Sequence, residues 1–236
     1  MSDSELAINA VFNIGPLEVT NTVITTWGIM LTLGLFSWLA TRRLSQTPGK
    51  VQTLLEATVT TIESAVAEVA PQHAKTLTPF IGTLWIFLVI TNLSGLIPGL
   101  HSPTRDLSAT SAMAIVVFLS AHWYGIRATG INNYLRHYLR PSPILLPFHL
   151  VSEITRTVAL AIRLFGNMMS LEMAALLILL VAGFLAPVPI LLLHIIEALV
   201  QAYIFGMLAL VYVAGGIQSQ QLKNASIEQN ENKNKE

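Results

Sequence analysis

Apolar and polar positions alternate along this chain in long blocks rather than in the short runs of a soluble fold. Uncharged stretches cover residues 19–41, 76–104, 107–126, 173–196 and 198–222, and each is long enough for a bilayer crossing, which takes about 20 apolar residues. The first predicts a membrane helix at about Thr22–Thr41, stopped by Arg42-Arg43 and the turn-prone Thr47-Pro48-Gly49. Residues Val51–Val69 differ. There Leu54, Leu55, Val59, Ile62, Val66 and Val69 recur at helical spacing while Glu56, Glu63 and Glu68 fall on other faces, the pattern of an amphipathic interfacial helix. A second span is expected at about Leu77–Leu96, ending at Pro98-Gly99, and a third at about Leu107–Trp123, after a short loop with His101, Arg105 and Asp106. Tyr124–Pro143, carrying Arg127, Arg136, His137 and Arg140, is a basic connector closed by Pro141 and Pro143. Ile144–Ala182 then reads as one long helix, Gly183–Pro189 as a turn and Ile190–Ile217 as a second long helix. At 1.5 Å per residue the first of these would run to roughly 58 Å against a hydrocarbon core of about 30 Å, so it must tilt, kink or emerge. The expected fold class is all-α: a polytopic transmembrane protein of about five membrane helices plus one amphipathic interfacial helix. Its two long, tilted C-terminal helices would form a hairpin.

Composition removes the main alternative. Of 236 residues, 11% are charged and 53% hydrophobic, whereas about a quarter of a soluble domain is charged. The formal net charge of zero argues against a basic nucleic-acid binder, and the lack of cysteine against a disulfide framework or thiolate metal site. Residues 1–18 carry Asp3, Glu5 and Glu18 but no Lys or Arg, so they lack the basic start of a cleavable signal peptide. They are expected to form a short outer tail. With the N-terminus outside and the C-terminus cytoplasmic, 10 of the 13 basic residues fall inside: Arg42, Arg43, Lys50, Lys75, Arg127, Arg136, Arg140, Lys223, Lys233 and Lys235. Arg105 alone falls outside and Arg156 and Arg163 in the membrane, a distribution that satisfies the positive-inside rule. The expectation is a single membrane domain over 1–236, with an outer tail at 1–21, helices and loops at 22–217, and a polar, disordered cytoplasmic tail at 218–236. The chain shows no repeat of repeat-protein length and no inverted pair of broken helices.

Arg156 and Arg163 are the informative charges, because a charge at mid-bilayer costs about 2.5 kcal/mol or far more. At about 100° per residue, with Glu153 as zero, Arg156 falls at about 300°, Arg163 at about 280°, and His149 and Asn167 at about 320°. These five residues share one stripe, whereas Glu172, at about 100°, points elsewhere. On the last helix His194, Glu197 and Gln201 also form one narrow stripe. Two long helices, each with a polar seam, suit a hydrated path or a polar partner. Glu153 and Arg156 at i,i+3 also suit an ordinary ion pair. Arg163 has no acid three or four residues away, and a guanidinium is a permanent cation. Its countercharge is therefore expected from Glu197 on the next helix or from another subunit.

The block Arg163-Leu164-Phe165-Gly166-Asn167-Met168, with Glu172 nine residues after Arg163 and His194 and Gln201 in the next helix, resembles the membrane-embedded a subunits of F-type ATP synthases. The resemblance extends to Thr91-Asn92-Leu93-Ser94-Gly95-Leu96-Ile97-Pro98-Gly99, to Asp106-Leu107 and to Gln201-Ala202-Tyr203-Ile204-Phe205. It implies an ion-conducting stator of the Fo sector, with no catalytic site, cofactor or metal of its own. Two aqueous half-channels would pass H⁺ to and from buried carboxylates of a rotating c-ring, with Na⁺ as the alternative ion. The family's essential arginine maps to Arg163, where it would face the ring carboxylate and stop ions from leaking between half-channels. Asn167 and Gln201 would orient it or hydrate the path. Glu172, His194 and Glu197 are candidates for one half-channel, His149 and Glu153 for the cytoplasmic one, and Arg156 lies on the same stripe. The alternatives are an interfacial acid for Glu172 and a core histidine bonded to a carbonyl for His194. Asp106 would stand at the outer mouth or cap a helix.

The implied partners are the c-ring subunits, b-type peripheral stalk subunits, other Fo and F1 subunits and membrane lipids. The implied location is a bacterial plasma (inner) membrane, with a thylakoid-type membrane as the alternative. Arg156-Thr157 stands where the family commonly has Lys-Pro, and Ser170-Leu171 where it has small residues, which suggests a divergent branch. A self-contained channel or transporter would need its binding site within one chain. A structural scaffold would have no reason to align its buried charges.

Overall fold

A computed structural model describes residues 10–14, 17–42, 49–97, 100, 102–131, 146–183 and 188–233, with the backbone alone for 10–14, 17–19, 129, 146, 182 and 218–233. The turn at Thr47-Pro48, the stop at Pro98-Gly99, His101, Arg136, His137, Arg140, Pro141 and Pro143 of the connector, and residues 184–187 of the interhelical turn lie outside the described residues. So do residues 1–9 of the outer tail, Arg43 and Lys235.

The chain enters through a short antiparallel hairpin of β1 (Ala10–Ile14) and β2 (Leu17–Thr20), paired Ile14 to Leu17 and Ala10 to Thr20 with an irregularity between Ala10 and Phe12. This hairpin falls within the expected tail and was not foreseen. All other described elements are helical: α1 (Asn21–Thr41), α2 (Lys50–Val69), α3 (Ala74–Ser94), a 3-10 turn (Pro103–Arg105), α4 (Leu107–Thr129), α5 (Leu146–Ala182) and α6 (Val188–Lys233). Five of the helices are long and apolar enough to cross a membrane: α1, α3, α4, α5 and α6. The chain is thus an all-α polytopic membrane protein with the expected amphipathic α2.

Two boundaries differ from expectation. Helix α4 runs beyond Trp123 through Arg127, because nothing interrupts it until Gly130. At Gly130 φ reaches +81°, a conformation that suits glycine, and its N–H closes the last turn on the Ile126 carbonyl at 2.8 Å. Helix α6 does not stop at Ile217 but continues through the supposedly disordered tail to Lys233. Polarity alone does not end a helix: residues 217–233 contain neither Pro nor Gly, and extending an existing helix avoids the cost of nucleating one.

Packing centres on α3 and α6. Leu77, Ile81, Leu84, Trp85 and Leu88 of α3 share one core with Ile62 and Val66 of α2 and with Ala202, Phe205, Ala209, Leu210 and Val213 of α6. Ala114, Val117 and Ala121 of α4 and Leu160, Ala161 and Leu164 of α5 complete it. The many alanines let backbones approach closely, the usual basis of association where lipid removes the hydrophobic drive between helices. The closest fit is at Gly206, where a side chain on α6 would overlap the Trp85 indole of α3. In contrast, α1 buries none of its residues. Its Thr25, Thr26 and Thr32 bond carbonyls one turn back within the helix, which satisfies their hydroxyls internally, as an apolar surround demands.

Candidate functional site

Arg163 lies near the middle of α5 and is exposed. Its neighbour Leu164, about 100° further round the helix, is fully buried in the core with Ala202 of α6. This one-residue offset keeps the guanidinium out of the seam between the two arms. Among the described residues no ion pair or hydrogen bond engages Arg163, and none engages the half-buried Glu197. The expected pairing of Arg163 with Glu197 is therefore not made within the chain.

One turn beyond Arg163 the seam becomes polar. Asn167 Nδ2 donates to Gln201 Oε1 across α5 and α6 at 2.7 Å. Gln201 is fully buried, and its Nε2 has no partner among the described residues. Toward the start of α5, Arg156 is exposed and its guanidinium stands 4.6 Å from the centre of the Tyr212 ring of α6. That cation–π contact gives Arg156 a partner on the last helix. Glu153 is half-buried and His149 exposed on the same arm.

A second polar cluster lies at the end of the bundle that carries the 3-10 turn. Arg105 Nη1 donates to Glu172 Oε1 at 2.7 Å, with the two side chains 16% and 23% exposed. Glu172 is thus an ion-paired residue. Thr104, buried beside Arg105, donates to Asn92 Oδ1 at 2.9 Å, and Ser102 contacts the Thr104 hydroxyl at 2.7 Å and donates to the Thr91 carbonyl at 2.8 Å. Asn92 Nδ2 in turn donates to the Ala198 carbonyl of α6 at 3.1 Å. His194 Nε2 sits 3.3 Å from the Asn92 carbonyl in a buried position, the carbonyl-bonded arrangement weighed for it above. Asp106 caps α4 by accepting from the Ser108 N–H at 2.9 Å; it takes the capping option.

The structure therefore joins Asn167 to Gln201 and brings His194 against α3. It leaves Arg163 and Glu197 without partners among the described residues and gives Glu172 a cation from a distant loop. Asn92, Ser102, Thr104 and Arg105 were not foreseen as parts of the site. The available signal was polarity inside an apolar run: Thr91, Asn92 and Ser94 interrupt an otherwise hydrophobic span, and such groups need partners in lipid.

Fold and site together define a polytopic helical membrane protein whose two longest helices carry an interhelical polar seam beside an intramembrane cation. A family model described as ATP synthase A chain matches residues 23–214. The chain is 63% identical over 220 residues to ATP synthase subunit a 2 of Pelobacter propionicus, covering 93% of this chain and 96% of that one. It is 68% identical over 206 residues to ATP synthase subunit a 1 of Hahella chejuensis, covering 87% and 88%. It is also 53% identical over 225 residues to ATP synthase subunit a of Legionella pneumophila, covering 95% and 98%. The chain belongs to the ATP synthase A chain family.

Proposed function

We propose that this chain is the ion-conducting stator of the Fo sector, passing H⁺ between two half-channels and the carboxylates of a rotating c-ring. The observation that carries the proposal is the placement of Arg163: a permanent cation, exposed near the middle of an apolar span and unpartnered among the described residues. A self-sufficient transporter would neutralise such a charge internally, since an uncompensated charge in the membrane is costly. Here the countercharge arrives from outside, on each ring subunit in turn.

Asn167 and Gln201 then form the polar ground beside Arg163. Their mutual bond, in which Gln201 accepts, fixes the two arms, and the amide N–H₂ of Gln201 is available to water or to a passing carboxylate; left unmade in a buried site such a bond would cost about 1–3 kcal/mol. His194 and Glu197, at the opposite end of α6 from its polar extension, line the half-channel on the outer side, with Glu172 at its edge. His149 and Glu153 serve the cytoplasmic side, and Arg156, seated on Tyr212, holds the arms together there. This assigns the N-terminus to the outside and the C-terminus to the cytoplasm of a bacterial inner membrane, with b-type stalk subunits holding the stator against rotation.

The test is Arg163→Ala in the whole complex, purified and reconstituted into vesicles. ATP-driven pumping is expected to vanish while the complex stays assembled. Pumping at the normal rate would refute the proposal. Vesicles carrying the parent complex in Na⁺-free medium should acidify inside on ATP addition; strict dependence on Na⁺ would replace H⁺ with Na⁺ and leave the stator role intact.

A further inference from the structure

The 3-10 turn Pro103–Arg105 touches α1, α3, α4 and α5 at one end of the bundle. It is stiffly seated, with Pro103 and Thr104 buried and the hydroxyls of Ser102 and Thr104 bonded to each other. Adjacent residues of this turn reach different arms of the hairpin. Arg105 grips Glu172 on α5, while Thr104 holds Asn92, which holds the Ala198 carbonyl on α6. An unbroken polar chain therefore runs from α5 through the turn and α3 to α6.

We propose that Arg105 is a positioning residue: its ion pair with Glu172 braces α5 against α6, and Glu172 serves this brace instead of carrying ions. The inference rests on the stator function proposed above and refines which acids belong to the path. Glu172 lies off the stripe of Arg163 by roughly half a turn of helix, and its carboxylate is already engaged at 2.7 Å. Glu197 has no such partner among the described residues. Removing either member of the pair takes from the other the opposite charge it holds at 2.7 Å, and α5 loses its tie to the turn. The seam of Asn167 and Gln201, and with it Arg163, then loses its register against the ring.

The experiment compares Arg105→Gln, Glu172→Gln and the charge-swapped pair Arg105→Glu/Glu172→Arg in reconstituted whole complexes, with Arg163→Ala alongside. Each single variant is expected to lower ATP-driven pumping by about tenfold, within the range that a misplacement of about 1 Å costs. The swapped pair should recover most of it, because a brace needs opposite charges but not a particular direction. An ion carrier at position 172 could not be replaced by a permanent cation. The inference is overturned if the swapped pair stays as impaired as Glu172→Gln, or if Arg105→Gln pumps normally. Should the swapped chain be missing from the purified complex, Arg105→Lys decides: pumping within about threefold of normal supports the brace, since a lysine can still make the charge pair, and a loss equal to that of Arg105→Gln overturns it. Failure of the stator function shows separately, as pumping by Arg163→Ala.

Discussion

Gly206 sets the most demanding test of the packing. A Cβ built on this glycine of α6 would stand 2.6 Å from Trp85 Cε2 and closer still to Trp85 Nε1 and Cδ1, so Gly206→Ala requires the indole to leave its place. Trp85 is 8% exposed in the core, its Nε1 donates to the Tyr203 carbonyl at 3.3 Å, and its ring stacks on Tyr203 with centroids 5.9 Å apart. Displacing the ring forfeits one hydrogen bond, about 0.6 kcal/mol between membrane helices, and an aromatic pair, about 0.5–1.5 kcal/mol. Overpacking strain adds about 1–3 kcal/mol. Alanine's better helix propensity returns up to about 1 kcal/mol, leaving a net loss of about 1–4 kcal/mol from these terms. Equilibrium unfolding of the purified chain in mixed micelles, by titration with a denaturing detergent, measures it. The decisive observation is the double-mutant cycle with Trp85→Leu, which empties the contested space: Gly206→Ala should cost much less on that background, with a coupling of at least about 1 kcal/mol. Additive losses, or a Gly206→Ala chain as stable as the parent, would refute the proposed contact.

Two further outcomes follow from the polar clusters. Asn92→Leu removes the bonds from Thr104 and to Ala198, but Thr104 keeps Ser102 as a partner, so the same micelle titration should show a loss of about 1–2 kcal/mol; no loss would detach Asn92 from the scaffold. Glu197→Gln should leave assembly intact yet slow ATP-driven pumping, because the half-buried carboxylate has no structural partner among the described residues; an unchanged rate would place Glu197 outside the path.

Helices were legible where the pattern itself carries the physics. Lys50–Val69 shows an apolar stripe among glutamates, and its first and last residues fall within one position of expectation. The spans did as well at their apolar centres and worse at their ends, as α4 shows: Arg127 looked like the start of a connector, but a basic residue near a helix C-terminus is favourable. The length of α6 was hidden for a related reason, since the residues after Ile217 are polar without being helix breakers. The site divided along a different line. Residues related by helical spacing, such as Arg163 and Asn167, could be grouped from one sequence, and so could His194 and Gln201. Contacts between elements far apart in the chain could not: no periodicity relates Arg105 to Glu172 or Asn92 to Ala198. What the sequence did contain was the energetic demand, because Asn92 in an apolar span and Glu172 near a span's end both require partners.

Arg105 and Arg163 resolve that demand in opposite ways, and the difference bears on function. Arg105 is satisfied at home by a carboxylate at 2.7 Å, while Arg163 finds no carboxylate among the described residues. Had the fold needed Arg163 only for stability, a shift of about 100°, the step to a neighbouring residue, would have turned its position toward the buried seam of Asn167 and Gln201, where Leu164 now sits. A cation turned outward is stabilised only while something anionic or aqueous faces it, so its cost varies with what passes. On the stator function proposed above, that variation is what a rotary partner would use: each ring carboxylate would be attracted as it sheds its ion and released as it regains one. The paired Arg105 has no comparable variation to offer, since its carboxylate belongs to the same chain and stays beside it. On the proposed reading Arg163 would belong to the moving interface and Arg105 to the frame that holds it still.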